Sequence, residues 1–345
     1  MKKMLLALAF ALPALAGAQK VPANVAVPFY TPPHFMHGVH AQWFAPRARD
    51  FAQEAAALGP ALEKVCAGSI GALRPARAQW EATALAWDRL SAVAIGPLVQ
   101  RRSLRQVDFW PTRPQLIERA IRANPADLRA LERVGTPAKG LPALEWLLWT
   151  QPISANTPSC RYAVLLAGEL DAEGRALAQG FAELAAKDWS ADPEAATASM
   201  GELLNQWVGG IERLRWAHIE RPVRSAGGDA PEWPRQASGS TNASWNAQWQ
   251  GLGTLAAAAG NHVAVPGQDL VPLESYLRGR GLNPLADKLA AQAAQLTRQL
   301  YASETVDETR ALAISRSLSD LKRLAEAEVA PALEVNIGFS DADGD

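Results

Sequence analysis

Apolar residues along this chain recur at helical rather than strand spacing. Leu141, Leu144 and Leu148 fall at i, i+3 and i+7 and share one helix face. Trp80, Thr83, Trp87 and Leu90 keep the same spacing upstream. The pattern predicts helices over about 34–66, 69–99, 113–123, 125–134, 139–149, 161–189, 192–220, 243–259, 269–279, 283–302 and 305–330. Pro114 and Pro125 stand near the start of two of them, where a missing N–H does no harm. No alternating run is long enough for a sheet, so the expected fold class is all-α.

One polar position breaks the pattern. Glu145 lies four residues after Leu141 and three before Leu148, on the apolar face. A carboxylate placed there must find a partner or destabilise the helix it sits on.

Breaker residues divide the chain. Pro22, Pro28, Pro32 and Pro33 make residues 19–33 an extended lead-in. The stretch RRSLRQVDFWP at 101–111 reads as an irregular connector, and RPVRSAGGDAPEWPRQASGSTN at 221–242 as a long loop. LPALEWLL at 141–148 resembles LVPLESYL at 270–277, and the pair Trp80 and Trp87 has a counterpart in Trp245 and Trp249. These echoes predict two related domains of four-helix-bundle type, 34–190 and 191–345.

Composition agrees with helix: Ala and Leu dominate the 345 residues, and β-branched residues are few. The length suits about two domains. With 34 basic and 35 acidic residues the net charge is −1, so no general attraction to nucleic acid or anionic lipid follows.

The first residues place the chain. Lys2 and Lys3 form a basic start, Met4 to Leu15 an apolar stretch, and Ala16-Gly17-Ala18 a cleavage site. This is a secretory signal, residues 1–18, with cleavage expected after Ala18 and a periplasmic destination. The apolar stretch is too short to span a bilayer. A lipoprotein would carry Cys where Ala18 stands, so no lipid anchor is expected, and no other stretch approaches a transmembrane span. Cys66 and Cys160 are the only cysteines. In an oxidising compartment they most simply form one disulfide; two buried free thiols are the alternative.

The segment KGLPALEWLLW at 139–149 resembles the Gly-x-His-x-x-Glu signature of the imelysin family, bacterial envelope proteins tied to iron uptake. Gly140 and Glu145 match it, and Pro142 stands where the family has His. Four further blocks carry the resemblance in order: WEATALAWDRLSAVAIGP at 80–97, RQVDFWP at 105–111, SCRYAVLLAGEL at 159–170 and GFSDADGD at 338–345. The resemblance implies two helical bundles with a pseudo-repeat and a site near the signature helix. It also implies iron- or haem-uptake components as partners.

The family is named for a reported peptidase activity, and the substitution bears on it. His and Glu at i and i+3 would face one metal ion from one side of a helix. Pro142 has no lone pair to give, so iron or another divalent metal is not supported by an intact motif. No H-E-x-x-H helix, G-x-S-x-G elbow or cysteine-nucleophile motif replaces it, and no catalytic residue is assigned. The resemblance implies that the connector lies near this helix, so Glu145 is expected to pair with Arg105, with Asp108 nearby on the same connector; the alternative is that Glu145 faces solvent at a helix edge. Lys139 precedes the helix and is expected to be exposed.

Other candidates are weaker. His34, His37 and His40 are three of five histidines; two at i, i+3 spacing could share a metal, with Glu145 as a further ligand. Asp341, Asp343 and Asp345 look like the opening of a calcium loop, but the bland reading is an acidic terminus. Most of the twelve tryptophans are expected to fill cores. The leading expectation is a non-catalytic binding protein with a cleft between its bundles, lined by Glu145, Arg105, Asp108 and tryptophans such as Trp87, beside Gly140 and Pro142. The alternatives are a metallopeptidase using Glu145 with ligands from elsewhere, and a structural partner of an outer-membrane receptor.

Overall fold

The computed structural model describes residues 26–260, 262–303 and 305–338. The secretory signal, its cleavage point and the Asp341–Asp345 tail lie outside them. Among the described residues every regular element is helical.

Helix α1 covers 32–66: α-helical Pro32–Gly38, a π-helical stretch Val39–Phe44 and α-helical Ala45–Cys66. It begins two residues before His34 because Thr31 and His34 form a reciprocal cap, each side chain accepting from the other's backbone N–H. Helix α2 (Leu73–Ser91) stops well short of the expected residue 99. Gly96 at φ +52°, followed by Pro97, forces the chain to turn there. Two short turns, Pro97–Gln100 and Ser103–Val107, form the connector, and α3 (Pro114–Ala123) follows. Only Leu128–Leu131 of the expected 125–134 helix is α-helical, started by the Asp127 side chain rather than by Pro125.

The signature helix α4 covers 140–150, α-helical over Gly140–Glu145 and π-helical over Trp146–Thr150. Helix α5 (Pro158–Ala186) runs beside α1. Helix α6 covers 193–225: Pro193–Glu212, a π-helical stretch Arg213–Glu220, and Arg221–Ser225. It overruns the expected end at residue 220. Then come α7 (Thr241–Ala256), α8 (Leu273–Gly279), α9 (Asn283–Tyr301) and α10, covering 308–332. No helix among the described residues is long and apolar enough to cross a membrane.

Helix α1 packs on α2 and α5, and α2 also packs on α7, which joins the early helices to the late ones. The apolar core is one cluster from Tyr30 to Ala330. Trp43 of α1 is fully buried, and its Nε1 donates to the Gly251 carbonyl (3.1 Å) and Thr254 Oγ1 (3.0 Å) of α7. Glycines set these close approaches. A Cβ at Gly251 would meet the Arg89 carbonyl oxygen at 2.7 Å, and one at Gly210 would run into the Ala92 carbonyl. Cys66 and Cys160 form the expected disulfide, tying the end of α1 to the start of α5 with Cα atoms 5.6 Å apart.

Candidate functional site

Gly140 explains how the signature helix reaches its place. It adopts φ +72°, and a Cβ there would strike the Val107 carbonyl of the connector. Only glycine lets the helix start hard against that strand of chain. Pro142 follows in the first turn, where its ring is tolerated, and is buried. Trp80 of α2 fixes the helix from the other side by donating its Nε1 to the Leu141 carbonyl (3.1 Å). After Glu145 the helix widens into its π-helical turn. That widening leaves the Leu148 carbonyl to Arg77, whose Nε (2.9 Å) and Nη2 (2.6 Å) both donate to it.

Glu145 is buried, with 3 % of its surface exposed. Its Oε1 accepts from both the backbone N–H (2.9 Å) and the hydroxyl (2.7 Å) of Ser238. Ser238 belongs to a strap, residues 226–240, that crosses the helix end. The strap also inserts Arg235, a residue with φ +64° and 3 % exposure. Arg235 Nη2 donates to Asp108 Oδ2 at 2.7 Å and lies 3.5 Å from Asp88 Oδ1. Its guanidinium sits over the Trp80 ring, 5.5 Å from the centroid. Burial pushes this guanidinium down, but Asp108, Asp88 and Glu145 outweigh it and hold its pKa above the usual range.

The network extends to α6 and α7. Arg213 of the π-helical stretch donates to the Ser91 and Ala92 carbonyls at the end of α2. Burial lowers its pKa to about 10, with Asp108 and Asp88 opposing. His218 on the same stretch has Nδ1 3.1 Å from Gln248 Nε2 of α7. Burial, then Arg213 and Arg235, hold His218 at about 3, so it is neutral. Asp88 is 2 % exposed, and its Oδ2 has no hydrogen-bond partner. Burial raises its pKa to about 6 against the attraction of Arg235 and the nearby Ser244 hydroxyl, with Asp108 adding to the rise.

Chemically this is a sequestered ionic network at the seam between early and late helices. The imelysin family model matches residues 44–330. The chain belongs to the imelysin family. No curated protein matches it in sequence. Among solved structures it is similar to an imelysin-like protein from Psychrobacter arcticum, with TM-score 0.73 and 21% identity over 91% of this chain and 100% of that one. It is also similar to a protein assigned as an iron-regulated protein A precursor from Parabacteroides distasonis, with TM-score 0.72 and 15% identity over 90% and 97%. At these identities the likeness is one of fold, an all-helical imelysin architecture.

Several expected site residues of this imelysin chain fall elsewhere. Arg105 does not pair with Glu145. Its short helix buries Ser103 and Val107 and turns Arg105 to solvent, and Ser238 takes its place at the carboxylate. Asp108 does join the site, but its partner is Arg235. Lys139 is buried, not exposed, because it pairs with Glu169 of α5. Trp87 is core: it is buried against Phe51, with ring centroids 5.1 Å apart. The expected cleft is occupied by side chains of the strap.

The histidines are not gathered at Glu145 either. His34 caps α1. His40 is buried in an aromatic setting, stacked on Trp189 at 5.0 Å with Phe44 and Phe181 beside it. Burial, then Lys187 and His37, lower its pKa to about 4. The residues at the signature helix do not fit a divalent metal. Pro142 offers no donor, Glu145 Oε1 already accepts twice, and a guanidinium lies among the carboxylates. Among the described residues no group of three or more His, Cys, Asp or Glu side chains could hold a metal ion.

Asp88, Arg235 and Ser238 were not marked by the sequence. Asp88 has one signal: a charged residue directly after Trp87, between the apolar positions Trp87 and Leu90. Arg235 and Ser238 sit in a segment whose Gly and Pro content reads as plain loop, though its embedded Trp233 and Pro234 are unusual for a solvated one.

Proposed function

We propose that this imelysin-family protein works by binding, as an exported component of an iron- or haem-acquisition system, and not by metal-dependent peptide hydrolysis. The observation that carries the reading is the state of the signature carboxylate. Glu145 is buried, doubly hydrogen-bonded by Ser238, and neighboured by Arg235, whose guanidinium already engages the nearby carboxylates Asp108 and Asp88. Hydrolysis by a metal needs a held ion with an open coordination position. Pro142, standing where the family signature has His, removes the donor that would hold it.

Two halves, 34–190 and 191–345, meet at this seam, and the ligand or partner engages there. Export is supported by the A-x-A cleavage pattern at residues 16–18 and by the Cys66–Cys160 disulfide, which suits an oxidising compartment. The iron connection rests on family membership and on the iron-regulated protein that shares the fold.

The test is a paired assay on protein purified from periplasm. Metal content and cleavage of an unfolded protein substrate are measured for the wild type and Glu145→Ala. The reading expects neither stoichiometric metal nor cleavage in either protein. Cleavage that disappears in Glu145→Ala would overturn it.

A further inference from the structure

The strap supplies its own guanidinium to an acidic, aromatic-walled site, and that arrangement shows what the site recognises. Asp88, Asp108 and Glu145 come from α2, the connector and α4, three separate elements converging on one cation. Trp80 forms a wall beneath it. Nη2 makes both carboxylate contacts while the planar guanidinium fork lies over the Trp80 ring, a pairing of charge and flat face that a compact ammonium does not offer. Asp88 Oδ2 remains without a hydrogen-bond partner although the residue is 2 % exposed, so the site retains acceptor capacity that Arg235 does not use.

The strap is built as a separable unit. Ser240 N–H donates to the Arg235 carbonyl (3.0 Å), Gly239 N–H to the Gln236 carbonyl (3.1 Å), and Trp233 N–H to Gln236 Oε1 (3.0 Å). Gly227 and Gly228 stand before this unit with φ of +60° and +103° and open space around both. It is fastened to the body through side chains: Arg235 to Asp108, Asp88 and the Trp80 ring, Ser238 to Glu145, Trp233 to the Ile219 carbonyl and the Trp245 ring, and the Pro234 carbonyl to the Thr241 hydroxyl.

We infer that the seam is a binding site for the guanidinium of a partner's arginine side chain, with the strap's Arg235 as a built-in occupant that the incoming arginine displaces. This rests on the reading of the seam as a binding site and deepens it by naming the ligand class. Displacement exchanges one guanidinium for another, so the carboxylates are never left uncompensated, and Asp88 Oδ2, unpartnered while the strap is closed, can gain a donor.

Two arms test it. In the first, Arg235→Ala melts roughly 6–10 °C below the wild type, and low-millimolar guanidinium, far under denaturing concentration, restores a large part of that loss while leaving the wild type unmoved. In the second, the intact chain is titrated with agmatine and amide hydrogen exchange is followed. Agmatine should speed exchange at Ser238 saturably, because its N–H is released from Glu145 as the strap lifts. Cadaverine, a diamine without the fork, should act much more weakly. Unchanged Ser238 protection under agmatine would overturn the inference, as would equal potency of cadaverine, or an Arg235→Ala protein indifferent to guanidinium. Should Arg235→Ala not fold, the second arm decides alone. Neither arm reads metal or peptidase activity, so failure here is distinct from failure of the binding function.

Discussion

Glu145 carries the meaning of the site, and the structure decides between a paired, buried carboxylate and one facing solvent at a helix edge in favour of burial. Spacing alone put the carboxylate on the apolar face, where it could not stay unpaired. The partner, Ser238, lies 93 residues downstream in a segment with no periodicity, so no local pattern pointed to it. Arg105 has the right charge and stands on the connector that the family resemblance implies lies near this helix, but two buried neighbours on its own turn rotate it outward. Removing the carboxylate strips the strap of its anchor and leaves Arg235 less compensated. Glu145→Ala should therefore cost about 2–4 kcal/mol in denaturant unfolding, and Glu145→Gln, which keeps one acceptor oxygen, less. The buried titrating groups pull in opposite directions. Asp88 is raised to about 6, so its contribution is full below the ordinary carboxylate range and lost as pH rises through about 6. His40 is lowered to about 4, so its contribution is full above the ordinary imidazole value and lost as pH falls through about 4. Melting curves across that range should show the wild type gaining on Asp88→Asn as pH falls from about 6 towards 4. Over the same interval His40→Phe should gain on the wild type.

Elements were more legible than their ends. Periodicity found the long helices, and capping residues such as Thr31, Asp192 and Asp307 stand where the structure starts three of them. The error at α2 has a plain cause: apolar spacing continues past Ser91, but Gly96 and Pro97 turn the backbone. The π-helical stretches carry no mark in the spacing, and two of them meet side-chain to backbone contacts with another helix. Arg77 reaching the Leu148 carbonyl is one such contact, and Arg213 reaching the end of α2 is another. Close approach between elements depends on glycines that spacing does not mark. Gly140→Ala forces a left-handed Cβ into the Val107 carbonyl and should cost about 2 kcal/mol or more. Gly251→Ala pushes α7 off α2 and should cost about 1–3 kcal/mol. Chemical denaturation measures both, and a neutral result at Gly140 would mean the connector can give way.

At the scale of the molecule, the family and the all-helical fold were readable from ordered blocks between residues 80 and 345 and from helical spacing along the chain. Glu145 and Glu274, from the two segments of similar sequence, are both buried carboxylates at short helices. Glu274 is satisfied locally by Ser275 and Arg278, whereas Glu145 takes its partner from the strap. One carboxylate is thus closed off by its own helix, and the other by the segment between α6 and α7. The disulfide spans 94 residues of sequence and should contribute on the order of 4 kcal/mol through the unfolded state. Reduction by dithiothreitol, or Cys66→Ser, should lower the melting temperature accordingly without altering helix content at ambient temperature. The central claim is that the signature carboxylate is held by Ser238 and the Arg235 strap and not by a metal. Elemental analysis of the wild type purified from periplasm, beside Glu145→Ala, tests it most directly. The account predicts substoichiometric zinc and iron in both proteins; one equivalent of metal in the wild type that is lost in Glu145→Ala would contradict it.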